Sequence, residues 1–234
     1  MVTFTNSLSK NHILSALPEG DYQRLLPHLE PVEFTQGKVL YEIDQVIEHL
    51  YFPYKAMISL VTQMADGKIV EVGIVGNDGV SGVASLMGRK TSFERALVQI
   101  PDGGVRVSVA VILEEFEKGG ALQKILLRYM NGLMRQVSQT AACNASHTAE
   151  ERLSRWLLMC QDRIESPVLN LTQEFLAEML GTRRATVNVS AITLQSAKLI
   201  QYSRGRITVI DRPGLEAFSC ECYGILKNSN GSNG

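Results

Sequence analysis

Apolar positions follow three spacings in turn along the chain, and each spacing predicts a different kind of element. From about Val32 to Val111 they come in short β-prone runs: Val39-Leu40-Tyr41, His49 to Phe52, Met57 to Val61, Ile69 to Val75, Ala96 to Ile100 and Val105 to Val109. Turn residues separate them at Gly37, Asp66-Gly67, Gly76 to Gly79 and Asp102-Gly103-Gly104. Many short strands at this interval predict an antiparallel sandwich or jelly roll. Asn11 to Leu29 reads as one or two small helices ahead of it. Behind it, Leu122 to about His147 has no proline and a single Gly132, and reads as one long helix.

Along that helix Leu126, Met130, Leu133, Val137, Thr140, Asn144 and His147 alternate steps of four and three, the repeat of a two-stranded coiled coil. The expected interface is therefore Leu126, Met130, Leu133, Val137 and Thr140, pairing the chain with a second copy of itself. Only about four of these positions are apolar, so packing on the β-domain should back the seam. The alternative is a helix that simply covers that domain. Asn144 and His147 are expected to set register or make interdomain polar contacts rather than to act as ligands.

The third spacing starts at Leu171. In the run Leu171 to Asn188, Ala177 falls where two helices would touch, Gly181 where the backbone must turn sharply, and Val187 where the second helix would pack on the first. Thr172 and Thr182 are placed as helix caps, and Glu174 lies in the first turn of the first helix, where the dipole favours a negative charge. This is the order of a helix-turn-helix. Its second helix is led by Arg183 and Arg184, and Arg184, Ala185 and Asn188 share its exposed face while Val187, Ala191 and Leu194 recur on the opposite one. Arginine at such a position can bond bidentately to guanine in the major groove. Lys198 to Ile210 then gives two β-prone runs around Ser203-Arg204-Gly205-Arg206, a hairpin wing with a basic tip. The expected DNA-contacting set is Thr172, Gln173, Thr182, Arg183, Arg184, Ala185, Thr186, Asn188, Arg204 and Arg206, with Arg204 and Arg206 on phosphate.

Charge and composition narrow the picture. The 234 residues carry a formal charge of −1, yet positions 171 to 212 hold six basic against three acidic side chains, a basic patch on an otherwise acidic protein. No apolar run is long enough to span a bilayer, and Met1 to Ser7 lacks the charged and apolar segments of a signal peptide, so a cytoplasmic protein without membrane contact is expected. Its four cysteines, Cys143, Cys160, Cys220 and Cys222, show no disulfide framework. Cys220-Glu221-Cys222 is too short a spacing for a common zinc site and no histidine is near it in sequence, so no metal is expected there. No nucleophile-base set or phosphate-cradling loop stands out, which argues against an enzyme. The tail from Asn228 to Gly234 is polar and is expected to be disordered.

A β-roll, a long central helix and a C-terminal winged helix-turn-helix, in that order, resemble the Crp/Fnr family of bacterial transcription regulators. The resemblance covers about residues 12 to 226. Its most specific pieces are Gly37 to Tyr41, Glu151-Arg152-Leu153 and Leu171 to Ile210. It implies an α+β fold divided as an effector roll over 1–120, a dimerisation helix over 121–147, a DNA-binding domain over 148–227 and the tail over 228–234. It also implies a homodimer on a palindromic operator in double-stranded DNA, with RNA polymerase as a further partner.

The resemblance locates an effector pocket at Gly82, Val83, Arg95, Ala96, Val137 and Ser138. Cyclic-AMP-responsive members have Gly-Glu and Arg-Ser pairs in the roll and adjacent Thr and Ser on the central helix. This chain has Gly82-Val83, Arg95-Ala96 and Val137-Ser138 instead, so the ribose acceptor and two hydroxyl contacts are missing. Cyclic AMP is therefore not the expected effector, and Arg95 is a candidate for a plain ion pair. The family's iron-sulfur sensors carry an N-terminal cysteine cluster, which this chain lacks before Cys143. A haem ligand would leave no sequence signature, with His12, His28, His49 and His147 available. No cofactor is assigned and the effector stays unnamed. The expected function is sequence-specific DNA binding under a degenerate effector domain. The rivals are a ligand sensor that acts through protein contacts and an enzyme-associated cyclic-nucleotide module.

Overall fold

The computed structural model describes the backbone of residues 10–231 and the side chains of residues 10–228. It divides into two compact units: residues up to Leu60 with Ile74–Leu133, and Val61–Gly73 with Met134 onward.

The first unit begins with α1 (His12–Ser15) and α2 (Glu19–Leu25). Asn11, fully buried, caps α1 by accepting from the Ile13 and Leu14 N–H groups, and donates to the carbonyls of Pro53 and Gly79. Seven strands follow: β1 (Glu30–Phe34), β2 (Val39–Tyr41), β3 (His49–Pro53), β4 (Met57–Gln63), β5 (Ile69–Val75), β6 (Arg95–Ile100) and β7 (Asp102–Ser108). They form two sheets, β1-β7-β3 and β2-β6-β4-β5. The strand runs read from the sequence all appear, and β1 was hidden because Glu30, Pro31 and Glu33 interrupt its apolar pattern.

Asp102-Gly103-Gly104, expected as a turn, instead opens β7 and pairs with Phe34, Glu33 and Val32. A Cβ at Gly104 would lie 2.5 Å from both the Phe34 ring and the Phe52 carbonyl, so glycine here admits two buried aromatics rather than a bend. α3 (Val109–Glu117), also not foreseen, starts at a Ser108 cap.

α4 (Ala121–Ser146) is the long helix, and it is shared between the two units. Its first half settles the orientation of the expected seam. Leu126 is fully buried and Met130 nearly so, packed with Leu14, Leu50, Phe52, Val105 and Ile112 in the core of the roll, with Leu133 partly buried against the same cluster. Thr140 is buried in the second unit and Val137 is half-buried. The stripe read as a dimer interface is therefore turned toward the chain's own core. Exposed residues form a neighbouring stripe one position on, at Leu127, Asn131, Met134, Ser138, Ala141 and Ala145, again in steps of four and three.

The second unit continues with α5 (Ala149–Ile164), β8 (Val168–Asn170), α6 (Gln173–Met179), α7 (Arg184–Ser196), β9 (Ile200–Ser203), β10 (Arg206–Val209), α8 (Arg212–Phe218) and α9 (Cys222–Gly231). Thr148 and Glu151 close a reciprocal capping box at the start of α5. Leu153, Leu157, Leu176, Val187, Leu194 and Ile207 are fully buried in this unit. The tail does not lose structure at Asn228, because α9, anchored by buried Tyr223 and Leu226, propagates to Gly231 at one hydrogen bond per added residue. Residues 232–234 and the Met1 to Ser7 segment lie outside the described residues. Among those described, no helix is long and apolar enough to cross a membrane.

Candidate nucleic-acid interface

Thr172 caps α6 by accepting from the Phe175 N–H at 3.2 Å. After α6 the chain turns at Gly181, whose φ of +57° is the left-handed region that glycine enters without a Cβ penalty. The Gly181 and Thr182 N–H groups fold back onto the carbonyls of Glu178 and Ala177, at 3.1 and 2.9 Å. These bonds use Thr182 to finish the turn, so Thr182 does not cap α7 as expected. The capping position falls to Arg183, with extended backbone and no side-chain bond, which leaves the leading N–H groups of α7 uncapped by a side chain.

Val187, Ser190, Ala191 and Leu194 are the buried face of α7. Arg183, Arg184, Ala185 and Asn188 are exposed and Thr186 is half-buried. Arg184 donates to Glu174 at 2.7 Å, and Gln173 donates to Asn188 at 2.9 Å, two bonds that cross-link the leading ends of α6 and α7. Both partners of the Arg184–Glu174 pair keep 64% of their side-chain surface, and a pair so exposed contributes at most about 1 kcal/mol. It orients the guanidinium without committing it.

The wing is more than a hairpin. β10 pairs with β9 on one edge and with β8 on the other, making a three-stranded sheet. Arg204 and Gly205 both have positive φ, the backbone of a tight two-residue hairpin turn, and this aims Arg204 away from the sheet at the tip. The wing is tied to the helices from three sides. The Leu171 N–H donates to the Gly205 carbonyl at 2.7 Å, the Tyr202 N–H to the Gln195 side chain at 2.8 Å, and the Tyr202 hydroxyl to the Leu171 carbonyl at 3.3 Å. Partial burial raises the Tyr202 pKa, keeping its hydroxyl a donor. Sequence reading missed Tyr202, Gln195 and β8; only the short Val168-Leu169 run hinted at the last. Thr172, Gln173, Glu174, Arg184, Asn188, Tyr202 and Arg204 line one open groove of about 480 Å³ between α7 and the wing, and Arg206 is exposed on β10 beside the tip.

Residues 151–218 match the family described as the Crp-like helix-turn-helix domain. The C-terminal part of the chain thus carries a Crp-like helix-turn-helix domain, and the whole chain shares the fold of Crp/Fnr-type regulators. Two global nitrogen regulators are similar to it: that of Synechococcus elongatus at 25% identity, covering 87% of this chain and 95% of the relative, and that of Synechocystis sp. at 24%, covering 87% and 94%. Its fold is shared with the c-di-GMP responsive global regulator CLP of Xanthomonas campestris, with a TM-score of 0.68 at 14% identity over 82% of this chain and 99% of that one. FixK2 from Bradyrhizobium japonicum is equally similar, with a TM-score of 0.68 at 16% identity over 82% and 98%.

Within this Crp/Fnr fold, Gly82 adopts φ +98° ahead of a short 3₁₀ turn, and Val83, Ala84 and Ala96 are buried. The Arg95 Nε holds the Glu42 carboxylate at 2.7 Å. A residue not singled out from the sequence, Glu94, is buried beside it in the chain, and desolvation pushes its carboxyl up to about 7. Ser138 is exposed on α4. Of the four histidines, His12 and His28 are exposed on the surface, while His49 and His147 are half-buried.

Proposed function

We propose that this regulator binds a palindromic operator as a homodimer, reading bases with α7 and holding phosphates with the wing. The observation that carries the reading is the groove between α7 and the wing, where Gln173, Arg184, Asn188 and Arg204 present polar ends to one space. Arg184 contacts a base edge, and Arg183, Arg204 and Arg206 contact phosphate. Thr172, Gln173, Thr182, Ala185, Thr186 and Asn188 complete the contact surface.

The second copy docks on the exposed stripe of α4, with Leu127 and Met134 as its apolar positions, 51% and 70% exposed in a single chain. This reassigns the pairing face from Leu126, Met130, Leu133, Val137 and Thr140 to the stripe beside it. Pairing there sets two α7 helices at half-sites about one helical turn apart, ~34 Å. The effector is not cyclic AMP, since Val83 and Ala96 offer no side-chain bond and Arg95 already has a carboxylate. The protein acts in the cytoplasm and contacts RNA polymerase.

The test is a random-library binding selection with the purified chain at fixed salt. A sharply enriched two-fold palindrome is the expected result, and retention of all sequences alike would reject the reading.

A further inference from the structure

The fold brings together four side chains that are far apart in sequence. Cys143, on the last turn of α4, and His147, one turn beyond, meet Cys220 and Cys222 at the junction of α8 and α9. The donor atoms of all four lie within 4.8 Å of one another. The Sγ atoms of Cys143 and Cys220 are 3.6 Å apart, and Cys222 Sγ is 3.7 Å from His147 Nδ1. A tetrahedral zinc ion with Zn–S near 2.3 Å and Zn–N near 2.0–2.1 Å has sulfur–sulfur edges of about 3.8 Å and sulfur–nitrogen edges of about 3.5 Å. Both observed separations match those edges. We infer that Cys143, His147, Cys220 and Cys222 form a structural zinc(II) site.

The surroundings supply what such a site needs. All three sulfurs belong to buried residues that form a cluster of their own, and His147 is half-buried at its rim. His147 Nε2 lies 3.2 Å from a carboxylate oxygen of Glu221, so the ring's other nitrogen, Nδ1, is the one turned to the sulfurs. A carboxylate behind a ligating histidine fixes its orientation and raises its basicity. The Gln139 side-chain amide donates to Cys222 Sγ at 3.0 Å, a bond that a metal-bound thiolate accepts well.

Three thiolates and one zinc(II) leave a charge of −1. Arg155, only 4% exposed, acts electrostatically on Cys143, and its Nε has no hydrogen-bond partner. Four protein ligands leave no open position, which is the arrangement of structural rather than catalytic zinc. A multi-iron cluster would need thiolates splayed wider than these. Cys-x₃-His at the end of α4 and Cys-x-Cys at a helix junction replace the expectations that Cys220 and Cys222 hold no metal and that His147 is not a ligand. His147 reaches them through the fold, across a loop that Cys143 and Cys220 close over 77 positions. The ion clips the end of α4 to the start of α9.

Elemental analysis of the full-length, untagged chain from zinc-supplemented cultures is expected to give one zinc per chain. Cobalt(II) in its place should show the intense visible bands of a tetrahedral site and thiolate-to-metal charge transfer in the near ultraviolet. Cys222→Ser and His147→Ala should each lower zinc affinity at least tenfold, while Cys160→Ser, a buried cysteine outside the cluster, should leave it unchanged. If those variants do not fold, the native chain still decides. Chelation should expose three additional thiols to a thiol reagent and lower the melting temperature, and added zinc should reverse both. A folded chain with less than one tenth of a zinc, iron and sulfide in place of zinc, or a Cys143–Cys220 disulfide in protein purified under reducing conditions would each overturn the proposal.

Discussion

Arg95 in the roll and Arg184 in the helix-turn-helix each hold a carboxylate at 2.7 Å, but one guanidinium keeps 26% of its side-chain surface and the other 64%. Beside Arg95 in the chain, Glu94 and Ala96 are buried. Around Arg184 the partner Glu174 is exposed and Gln173 half-buried, so on the proposed reading these bonds are the ones exchanged for contacts to DNA. The same contact distance thus describes a committed charge in one unit and an available one in the other. What separates them is the arginine's own exposure, since Glu42 also keeps 46% of its side-chain surface and an exposed pair gives up little when it breaks. The two stripes of α4 divide the same way, with Leu126 committed to the core and Met134 available.

The sharpest way to break this division is to act on α4. Leu126→Ala should cost about 2–5 kcal/mol of stability by leaving a cavity in the roll, whereas Met134→Ala should cost almost none in a monomer. Met134→Glu should yield folded monomers in sedimentation velocity and lower operator affinity by a hundredfold or more, because one half-site supports few contacts. A dimer that persists unchanged would place the interface elsewhere.

Next in size is Glu94. Its folded pKa of about 7 lies above the ordinary value of 4.5, so the folded state binds the extra proton between those values and stability falls as pH rises through that window. Below about pH 4.5 both states are protonated and no cost arises. Above pH 7 the full cost, about 3 kcal/mol, is present. Glu94→Gln should therefore stabilise the chain at pH 8 and leave it unchanged at pH 4.5, as read from denaturant midpoints. Equal effects at both pH values would mean that Glu94 is not a buried, elevated carboxyl.

Arg184→Ala should cost about 1–3 kcal/mol of operator binding and relax one position in each half-site. Arg204→Ala should weaken all sequences alike and reduce the salt slope by about one. Identical profiles for the two would erase the distinction between reading and holding. The smallest effect should come from cyclic AMP. The missing polar contacts, at about 0.5–1.5 kcal/mol each, should weaken its binding by roughly one to three decades and leave operator affinity within a few fold. A tenfold gain in operator binding at micromolar nucleotide would show that Arg95 can be freed after all.

Much of this fold was legible because its signals are local. Alternation gives β2 to β6, and the Ala177-Gly181-Val187 order gives α6, the turn and α7. The misreadings arose where two answers share one local pattern. Leu126 and Leu127 begin two stripes with the same steps of four and three, and only the packing of Phe52 and Ile112 decides which one faces inward. Gly103 and Gly104 look like a turn until Phe34 is seen to need the space at Gly104. Thr182 is a good cap by residue type, but the turn bonds leave it one position short. Cys143 and His147 were invisible as partners of Cys220 and Cys222 because no spacing rule spans a whole domain.

The chain's single tryptophan adds a practical consequence. Trp156 on α5 is 2% exposed and donates through its indole N–H to the buried Glu71 carboxylate at 2.7 Å, so it joins α5 to the end of the β4–β5 hairpin that belongs to the same unit. An indole held dry against a carboxylate changes its emission when that bond opens and water enters. Any effector or operator that loosens the hairpin from α5 will therefore announce itself in the intrinsic fluorescence of the unmodified protein, with no dye and no second tryptophan to confuse the signal.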